Sequence, residues 1–224
     1  MTRNEIESNT ISLIRTAGGT RPDLRIVEID GRRVAVKDFQ RSDPLFRLLI
    51  GPLLIGREGK ALSRLTDVPG APKLVQLVDR YGLALEHIDG KNLKEVTDPI
   101  PDGFFDKLIE VVNTIHGRGI AHCDLRTSGN VMITNDGKPC IVDFAACVMR
   151  GRGWNPFINW LFHRFKEADL YAVLLLKKKH APDSLRPEEL QRLQTPLPYE
   201  RFAKSFGISI RNITRRLLTR GKRN

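Results

Sequence analysis

Two aspartates on either side of a β-hairpin pattern constrain this chain more than any other feature. Asp124 and Asp143 flank two short apolar runs, residues 131–133 and 140–142. The segment Asn-Asp-Gly at residues 135–137 separates these runs, and Asp and Gly tolerate the left-handed backbone of a tight turn. The pattern predicts a hairpin that brings the two carboxylates to matching ends, close to each other.

Length and composition set the class of protein. A chain of 224 residues can build one sizeable core or two small lobes with a cleft between them. Its composition is typical of an ordinary soluble globular protein. The first ten residues contain no apolar signal region, and Arg47 and Gly51-Pro52 interrupt the longest apolar stretch, residues 45–55. The three cysteines lack CxxC spacing, which disfavours disulfides and zinc and predicts a cytoplasmic location.

The positive charge is concentrated at the C-terminal end. Residues 150–224 contain 17 Lys and Arg but only 6 Asp and Glu, which accounts for the whole net charge of +11. Such a basic segment suggests contact with something anionic, such as membrane lipid, lipopolysaccharide or nucleic acid. A solvated surface that keeps the protein soluble explains the same charge.

The N-terminal half has the pattern of an antiparallel sheet with one helix. Alternating β-rich runs predict five strands, at residues 11–16, 24–30, 33–39, 74–79 and 83–87. Helical character extends over residues 44–65 and restarts at Pro52, since proline suits a first helical turn. A further helix is predicted at residues 102–117, with Asp102 as the capping residue.

Three short motifs resemble those of the protein-kinase superfamily. The sequence HCDL at residues 122–125 resembles the catalytic loop, and VDF at 142–144 resembles the metal-binding strand end. The sequence VAVK at 34–37 resembles the strand that supplies the phosphate-binding lysine. With Glu58 and Asn130 these motifs follow the kinase order, and the resemblance covers about residues 17–148.

The resemblance implies an α+β, bilobal protein-kinase-like fold. Residues 1–88 would form the nucleotide-binding N-lobe, a five-stranded antiparallel sheet with one helix. Residues 89–224 would form a reduced, mainly helical C-lobe with the catalytic loop, the metal site and a basic helical tail. The implied activity is transfer of the γ-phosphate of ATP to a hydroxyl, with Mg²⁺.

The resemblance also implies a role for each matching residue. Asp124 would be the catalytic carboxylate, and Arg126 would neutralise the γ-phosphate. Asn130 and Asp143 would hold Mg²⁺. The ATP-binding residues would be Lys37 with Glu58 as its partner, Gly18 and Gly19 in a loop over the phosphates, and Glu86 and Ile88 in a hinge beside the adenine. Spacing alone favours a simpler interpretation of Glu58, as a carboxylate on a helix surface.

The chain departs from the kinase pattern at four points. Asn130 lies six residues after Asp124 rather than five, and Cys123 replaces an arginine. Ala145 replaces the glycine of the metal-binding motif, and no APE sequence follows. This trimmed pattern resembles small atypical kinases, namely the RIO-like group and the lipopolysaccharide-core sugar kinases. Regulation by activation-loop phosphorylation is therefore not expected.

Several functions stay open at this point. The leading hypothesis is an atypical Ser/Thr protein kinase, followed by a lipopolysaccharide or glycolipid sugar kinase. A pseudokinase that binds nucleotide without turnover is the third, and nucleic-acid binding is disfavoured because no base-reading motif is present. The partner would be an acceptor protein or a glycolipid. The aromatic and basic segment 154–166 suits peripheral contact with an anionic membrane, at its inner face, or a core helix of the C-lobe. Residues 208–223 have the pattern of a basic amphipathic helix.

Overall fold

The computed structural model describes residues 1–151, 153 and 155–194. The chain divides into two compact units, Met1–Leu185 and Arg186–Asn224. The first unit contains the five-stranded sheet and all the predicted site residues. The boundary between two lobes at residue 88 stays a prediction.

A five-stranded antiparallel sheet forms the N-terminal part, as the alternating runs predicted. Its strands are β1 (Thr10–Arg15), β2 (Asp23–Ile29), β3 (Arg32–Asp38), β4 (Leu74–Asp79) and β5 (Gly82–Glu86). They lie in the order β1-β2-β3-β5-β4, and each neighbouring pair is antiparallel. One face of the sheet buries a small cluster that includes Val27, Val36 and Ala84. This arrangement confirms the predicted fold class.

Three helices accompany the sheet. The short helix α1 (Arg3–Ser8) was not predicted, although Thr2 and Glu5 form a capping box whose T-x-x-E sequence signals a helix start. The predicted helix at 44–65 is two helices, α2 (Pro44–Leu49) and α3 (Gly51–Ser63), which meet at Ile50. The Asp43 carboxylate caps α2 by accepting from two backbone N–H groups, and Pro52 lies in the first turn of α3.

The remainder of the first unit holds short strands and two long helices. These are β6 (Gly90–Asn92), α4 (Phe104–Gly117), β7 (Ile120–Ala121), β8 (Val131–Thr134), β9 (Pro139–Ile141), β10 (Val148–Met149) and α5 (Pro156–His180). Strands β8 and β9 form the predicted hairpin around Gly137, which has a φ of 75°. The predicted cap of α4 is wrong: the capping position is Gly103, in left-handed conformation, rather than Asp102.

One apolar cluster connects the sheet to these helices. It includes Leu62 of α3, Leu83 of β5, Val112 of α4, Phe144 and Val173 of α5, none of which is more than 1% exposed. The core therefore packs the predicted lysine strand, α3 and the two aspartate-bearing loops into one unit.

Helix α5 begins at Pro156 and is mostly buried from Tyr171 to Lys177. Phe162 is buried, as are five of the six residues 171–176, whereas Phe157 and Trp160 are exposed. Among the described residues, no helix has the length and apolar character that crossing a bilayer requires. Trp154, and the predicted amphipathic helix at 208–223, lie outside the described residues. In the second unit the structure describes α6 (Pro187–Gln194).

Candidate active site

Lys37 lies at the centre of a buried ionic cluster. Strand β3 places its side chain between two carboxylates, with Nζ 2.7 Å from Glu58 Oε2 and 2.7 Å from Asp143 Oδ1. The side chains of Lys37 and Glu58 are 6% and 1% exposed, whereas that of Asp143 is 40% exposed. Glu58 therefore does not lie on the helix surface, and the structure brings together three predicted residues from distant parts of the chain.

The electrostatics of this cluster favour a charged lysine. Burial lowers the pKa of Lys37, but attraction to Glu58 and Asp143 outweighs burial and leaves that pKa above its ordinary value. Burial raises the pKa of Glu58 more than Lys37 lowers it. Burial also raises the pKa of Asp143, but the charge of Lys37 outweighs it and the net pKa is lowered. The net shift therefore differs between the two carboxyl groups: the pKa of buried Glu58 is raised, whereas that of the more accessible Asp143 is lowered.

A backbone hydrogen bond connects Glu58 to the second aspartate loop. The N–H of Phe144 donates to Glu58 Oε1 at 3.2 Å, while Asp143 adopts a left-handed conformation with a φ of 66°. Non-glycine residues seldom adopt this conformation, which concentrates at functional sites. The strained residue is therefore Asp143 itself. Ala145 replaces the usual glycine and lies in a short 3₁₀ turn.

Asp124 lies in a hydrogen-bonded loop that includes Asn130. The Asn130 amide donates to the Asp124 backbone oxygen at 2.9 Å and to Asp124 Oδ2 at 3.0 Å. The Thr127 hydroxyl donates to Asp124 Oδ1 at 2.8 Å, so both carboxylate oxygens accept a hydrogen bond. The extra residue in this loop leaves Asn130 in contact with Asp124. No signal in the sequence pointed to Thr127.

His122 contacts both aspartate-bearing loops. Its Nδ1 accepts from the Asp124 N–H at 3.3 Å, so Nε2 carries the proton and donates to the carbonyl oxygen of Val142 at 3.0 Å. Its ring meets that of Phe144 edge to face at 4.9 Å. One side chain therefore fixes the residues beside both predicted aspartates.

Asp169 is a site-supporting residue that the sequence analysis missed. Its buried carboxylate accepts from the N–H of His122 at 2.7 Å, from the N–H of Cys123 at 2.9 Å and from His116 Nε2 at 3.0 Å. Cys123 has a φ of 72°, so this acceptor holds a left-handed turn just before Asp124. Helical spacing could have identified this residue. Asp169 lies four residues before Val173, on the apolar side of α5, and a buried carboxylate is rare.

Arg126, two residues after Asp124, has its guanidinium 5.9 Å from the centre of the Tyr171 ring, a cation–π contact. Its predicted role at the γ-phosphate stays a prediction.

The predicted phosphate loop and hinge occupy the expected connections. Gly18 and Arg21 pair across a tight turn between β1 and β2, in which Gly19 has a φ of 57°. The Gly19 carbonyl accepts from the N–H of Asp43, which attaches this loop to the start of α2. Glu86 ends β5, and residues 87–89, which include Ile88, lead to β6. Their contacts with ATP stay predictions.

The donor atoms available for a metal are oxygens. The side-chain nitrogen of Asn130 donates to Asp124, so Oδ1 is the atom of this side chain that could bind a cation. The Asp143 carboxylate is partly exposed. Within the described residues no group of three His, Cys, Asp or Glu side chains could hold a metal alone. Mg²⁺ usually takes one or two protein oxygens and completes its shell with phosphate and water, so this pair fits Mg²⁺ bound with a nucleotide.

Comparison with known proteins supports the same fold. No protein-family model matches the chain. In sequence it is similar to two mouse (Mus musculus) proteins: sperm motility kinase Tcr mutant form, 28% identical over 137 residues, and sperm motility kinase 2B, 28% identical over 126 residues. These alignments cover 57% and 52% of this chain but only 27% and 24% of the relatives, so the match spans about a quarter of their length.

Solved structures give a longer match. The Rio2 kinase of Chaetomium thermophilum matches 88% of this chain and 63% of its own, with a TM-score of 0.60 and 17% identity. Its complex with ADP, Mg²⁺ and phosphoaspartate matches 88% of this chain and 61% of its own, with a TM-score of 0.59 and 16% identity. This chain therefore has the protein-kinase-like fold, and it resembles the RIO-type atypical kinases within that fold.

Proposed function

We propose that this protein is an ATP- and Mg²⁺-dependent kinase that transfers the γ-phosphate to an acceptor hydroxyl. The observation that carries the proposal is the buried contact of Lys37 with both Glu58 and Asp143. A lysine held at this depth by two carboxylates, one of them partly exposed, suits a site that binds a polyanion together with a cation. The ADP and Mg²⁺ bound to the similar Rio2 kinase support the choice of nucleotide.

Each residue of the candidate active site has a separate role in phosphoryl transfer. Lys37 binds the α- and β-phosphates, and Glu58 fixes its position from the buried side. Asn130 and Asp143 would hold Mg²⁺, which neutralises phosphate charge when it is bound. Asp124 accepts the proton of the acceptor hydroxyl, and Asn130 and Thr127 hold its carboxylate in place.

The chemical step balances without another reactant. The acceptor oxygen forms a bond to the γ-phosphorus, and the bond from that phosphorus to the bridging oxygen of ADP breaks. The hydroxyl proton passes to Asp124, and ADP leaves with the electron pair of the broken bond.

The acceptor is proposed to be a Ser or Thr hydroxyl of a protein, in keeping with the RIO-type fold. A sugar hydroxyl of a lipopolysaccharide or glycolipid is the second candidate, favoured by the basic C-terminal segment. A pseudokinase is the third, because Ala145 and the shifted position of Asn130 depart from the kinase pattern.

The test is transfer of label from γ-labelled ATP in an extract of the source cells. Lys37→Ala, Asp143→Ala and Asp124→Asn should each abolish transfer while circular dichroism stays unchanged, and chelation of Mg²⁺ should do the same. Lys60→Ala, at an exposed lysine of α3, is the matched control and should keep full activity. Full activity in any of the three site variants would contradict the proposal.

The same label identifies the acceptor. Small labelled phosphopeptides after exhaustive protease digestion would indicate a protein kinase. Label that resists protease and extracts with lipid would indicate a glycolipid kinase. ATP binding without any product, unchanged by Asp124→Asn, would indicate a pseudokinase.

A further inference from the structure

The connection of α2 and α3 exposes an unusual number of large apolar side chains. Leu45, Leu48, Leu49, Ile50 and Leu53, here called the leucine face, are between 40% and 63% exposed. Monomeric soluble proteins seldom expose a large contiguous apolar patch unless it contacts a partner or a membrane. We propose that the leucine face docks onto an anionic membrane surface, an interaction that goes beyond the kinase activity and does not depend on it.

The spacing shows that this exposure belongs to one side of the helices. Phe46 and Ile55 lie between the exposed positions and are buried, 9% and 2% exposed, so they anchor α2 and α3 to the core. Within α2, Leu48 and Leu49 lie three and four positions after Leu45, and Leu53 lies in the first turn of α3, three positions after Ile50. The segment is therefore an amphipathic helix pair held by the protein, with its second apolar face directed outward.

The charges around the leucine face favour an anionic surface. In residues 44–64 the exposed charged side chains are all cations, Arg57, Lys60 and Arg64. The single acid in that range, Glu58, is buried against Lys37. Apolar side chains that enter the lipid interface, flanked by Lys and Arg that attract anionic headgroups, are typical of peripheral membrane segments.

The same charges argue against two other occupants. A second copy seated face to face would bring its own Arg57 and Lys60 towards these cations, because a two-fold contact pairs a surface with itself. Residues 195–224 of this chain have eight Lys and Arg against one Glu, so they would add like charge. An anionic bilayer is the occupant that complements both the leucines and the cations.

Docking by this face leaves the candidate active site separate. Helix α3 directs Glu58 inward to Lys37 and carries Arg57 and Lys60 on its exposed side. Membrane contact and phosphoryl transfer can therefore be measured independently on the same protein, and the failure of one would not imply the failure of the other.

Vesicle co-sedimentation without ATP tests the proposal. Phosphatidylcholine vesicles with phosphatidylglycerol should bind the protein, and vesicles of phosphatidylcholine alone should bind it far less. Leu48→Ser/Leu49→Ser/Leu53→Ser should weaken binding at least roughly tenfold.

The matched control Ile11→Ser/Leu13→Ser/Ile14→Ser removes three apolar side chains of similar exposure from β1 and should bind as the wild type does. Arg57→Gln/Lys60→Gln should weaken binding and its dependence on salt.

A fluorescent label shows which surface contacts the lipid. An environment-sensitive dye on Leu49→Cys should shift to the blue with anionic vesicles, and the same dye on Leu13→Cys should not. The native thiols react poorly, because burial raises the pKa of Cys140 to about 12 and that of Cys147 to about 11, and raises that of Cys123 as well.

Four results would overturn the proposal. The first is wild-type protein that does not bind anionic vesicles, and the second is a leucine variant that binds as tightly as the wild type. The third is a dimer in sedimentation equilibrium that the leucine variant converts to monomer, which would assign the face to a second copy. The fourth is a dye at Leu49→Cys that is already shielded from water in the free monomeric protein, which would show that another part of the same chain covers the leucine face.

Discussion

Asp169 of α5 accepts a hydrogen bond from the backbone N–H of Cys123, 46 residues earlier in the chain, at 2.9 Å. Cys123 adopts a left-handed backbone conformation, and the next residue is Asp124. The position of the candidate catalytic carboxylate therefore depends on a buried acid in a distant helix.

We expect Asp169→Ala to lower the free energy of unfolding by about 3–5 kcal/mol, because it leaves two buried N–H groups and His116 without their acceptor. Urea denaturation followed by circular dichroism measures this change. Asp183→Ala, at an exposed aspartate, is the control and should unfold like the wild type. Equal stability of Asp169→Ala and the wild type would show that these hydrogen bonds do not hold the loop.

The pKa of Lys37 should lie above the ordinary value of 10.5. Because the folded-state pKa exceeds the unfolded one, the lysine's contribution to stability is complete below pH 10.5 and is lost as pH rises through the folded-state pKa. Titration of the Lys37 Cε resonance by NMR measures the shift, with exposed Lys60 as the internal reference. Glu58→Gln should lower the Lys37 pKa by removing one of its two attracting carboxylates, and an unchanged value would argue against the ion pair in solution.

Thr127 should act as a positioning residue for Asp124. Thr127→Val removes the hydroxyl that donates to Asp124 Oδ1, a hydrogen bond to a charged acceptor worth about 1.5–3 kcal/mol. If that energy orients the carboxylate during transfer, kcat falls about 10- to 100-fold while the KM for ATP stays unchanged. Thr127→Ser keeps a hydroxyl and should restore most of the rate. Equal rates for the valine and serine variants would assign Thr127 a purely structural role.

Gly90 should tolerate no larger side chain. A Cβ at this position would overlap the carbonyl oxygen of Ile133 and lie 2.8 Å from the Cα of Thr134, which would separate β6 from β8. Gly90→Ala should therefore reduce the free energy of unfolding by about 1–3 kcal/mol or more. Gly56→Ala is the matched control, since its Cβ would meet open space within α3, and it should raise stability by about 0.5–1 kcal/mol. Denaturant midpoints of the two variants should move in opposite directions.

The sequence by itself determined the order of the elements and most of the candidate site. Alternation predicted the five strands, Asn-Asp-Gly predicted the hairpin, and VAVK, HCDL and VDF identified Lys37, Asp124 and Asp143. These signals are local, because a strand or a turn depends mainly on residues next to one another. The same local signals failed at the cap of α4, where a left-handed glycine replaces the expected Asp102.

Only the tertiary structure decided which side chains meet. Spacing favoured a surface position for Glu58, and packing of α3 against the core made it the buried partner of Lys37. The role of Asp169 likewise depends on α5 lying beside the loop that carries Asp124. The leucine face is the opposite case, because its side chains are apolar but exposed. The sequence shows an apolar stretch at residues 45–55, and only the packing of one side of the helices shows that the other side is exposed. Burial depends on contacts between residues far apart in sequence, and a local pattern does not contain that information.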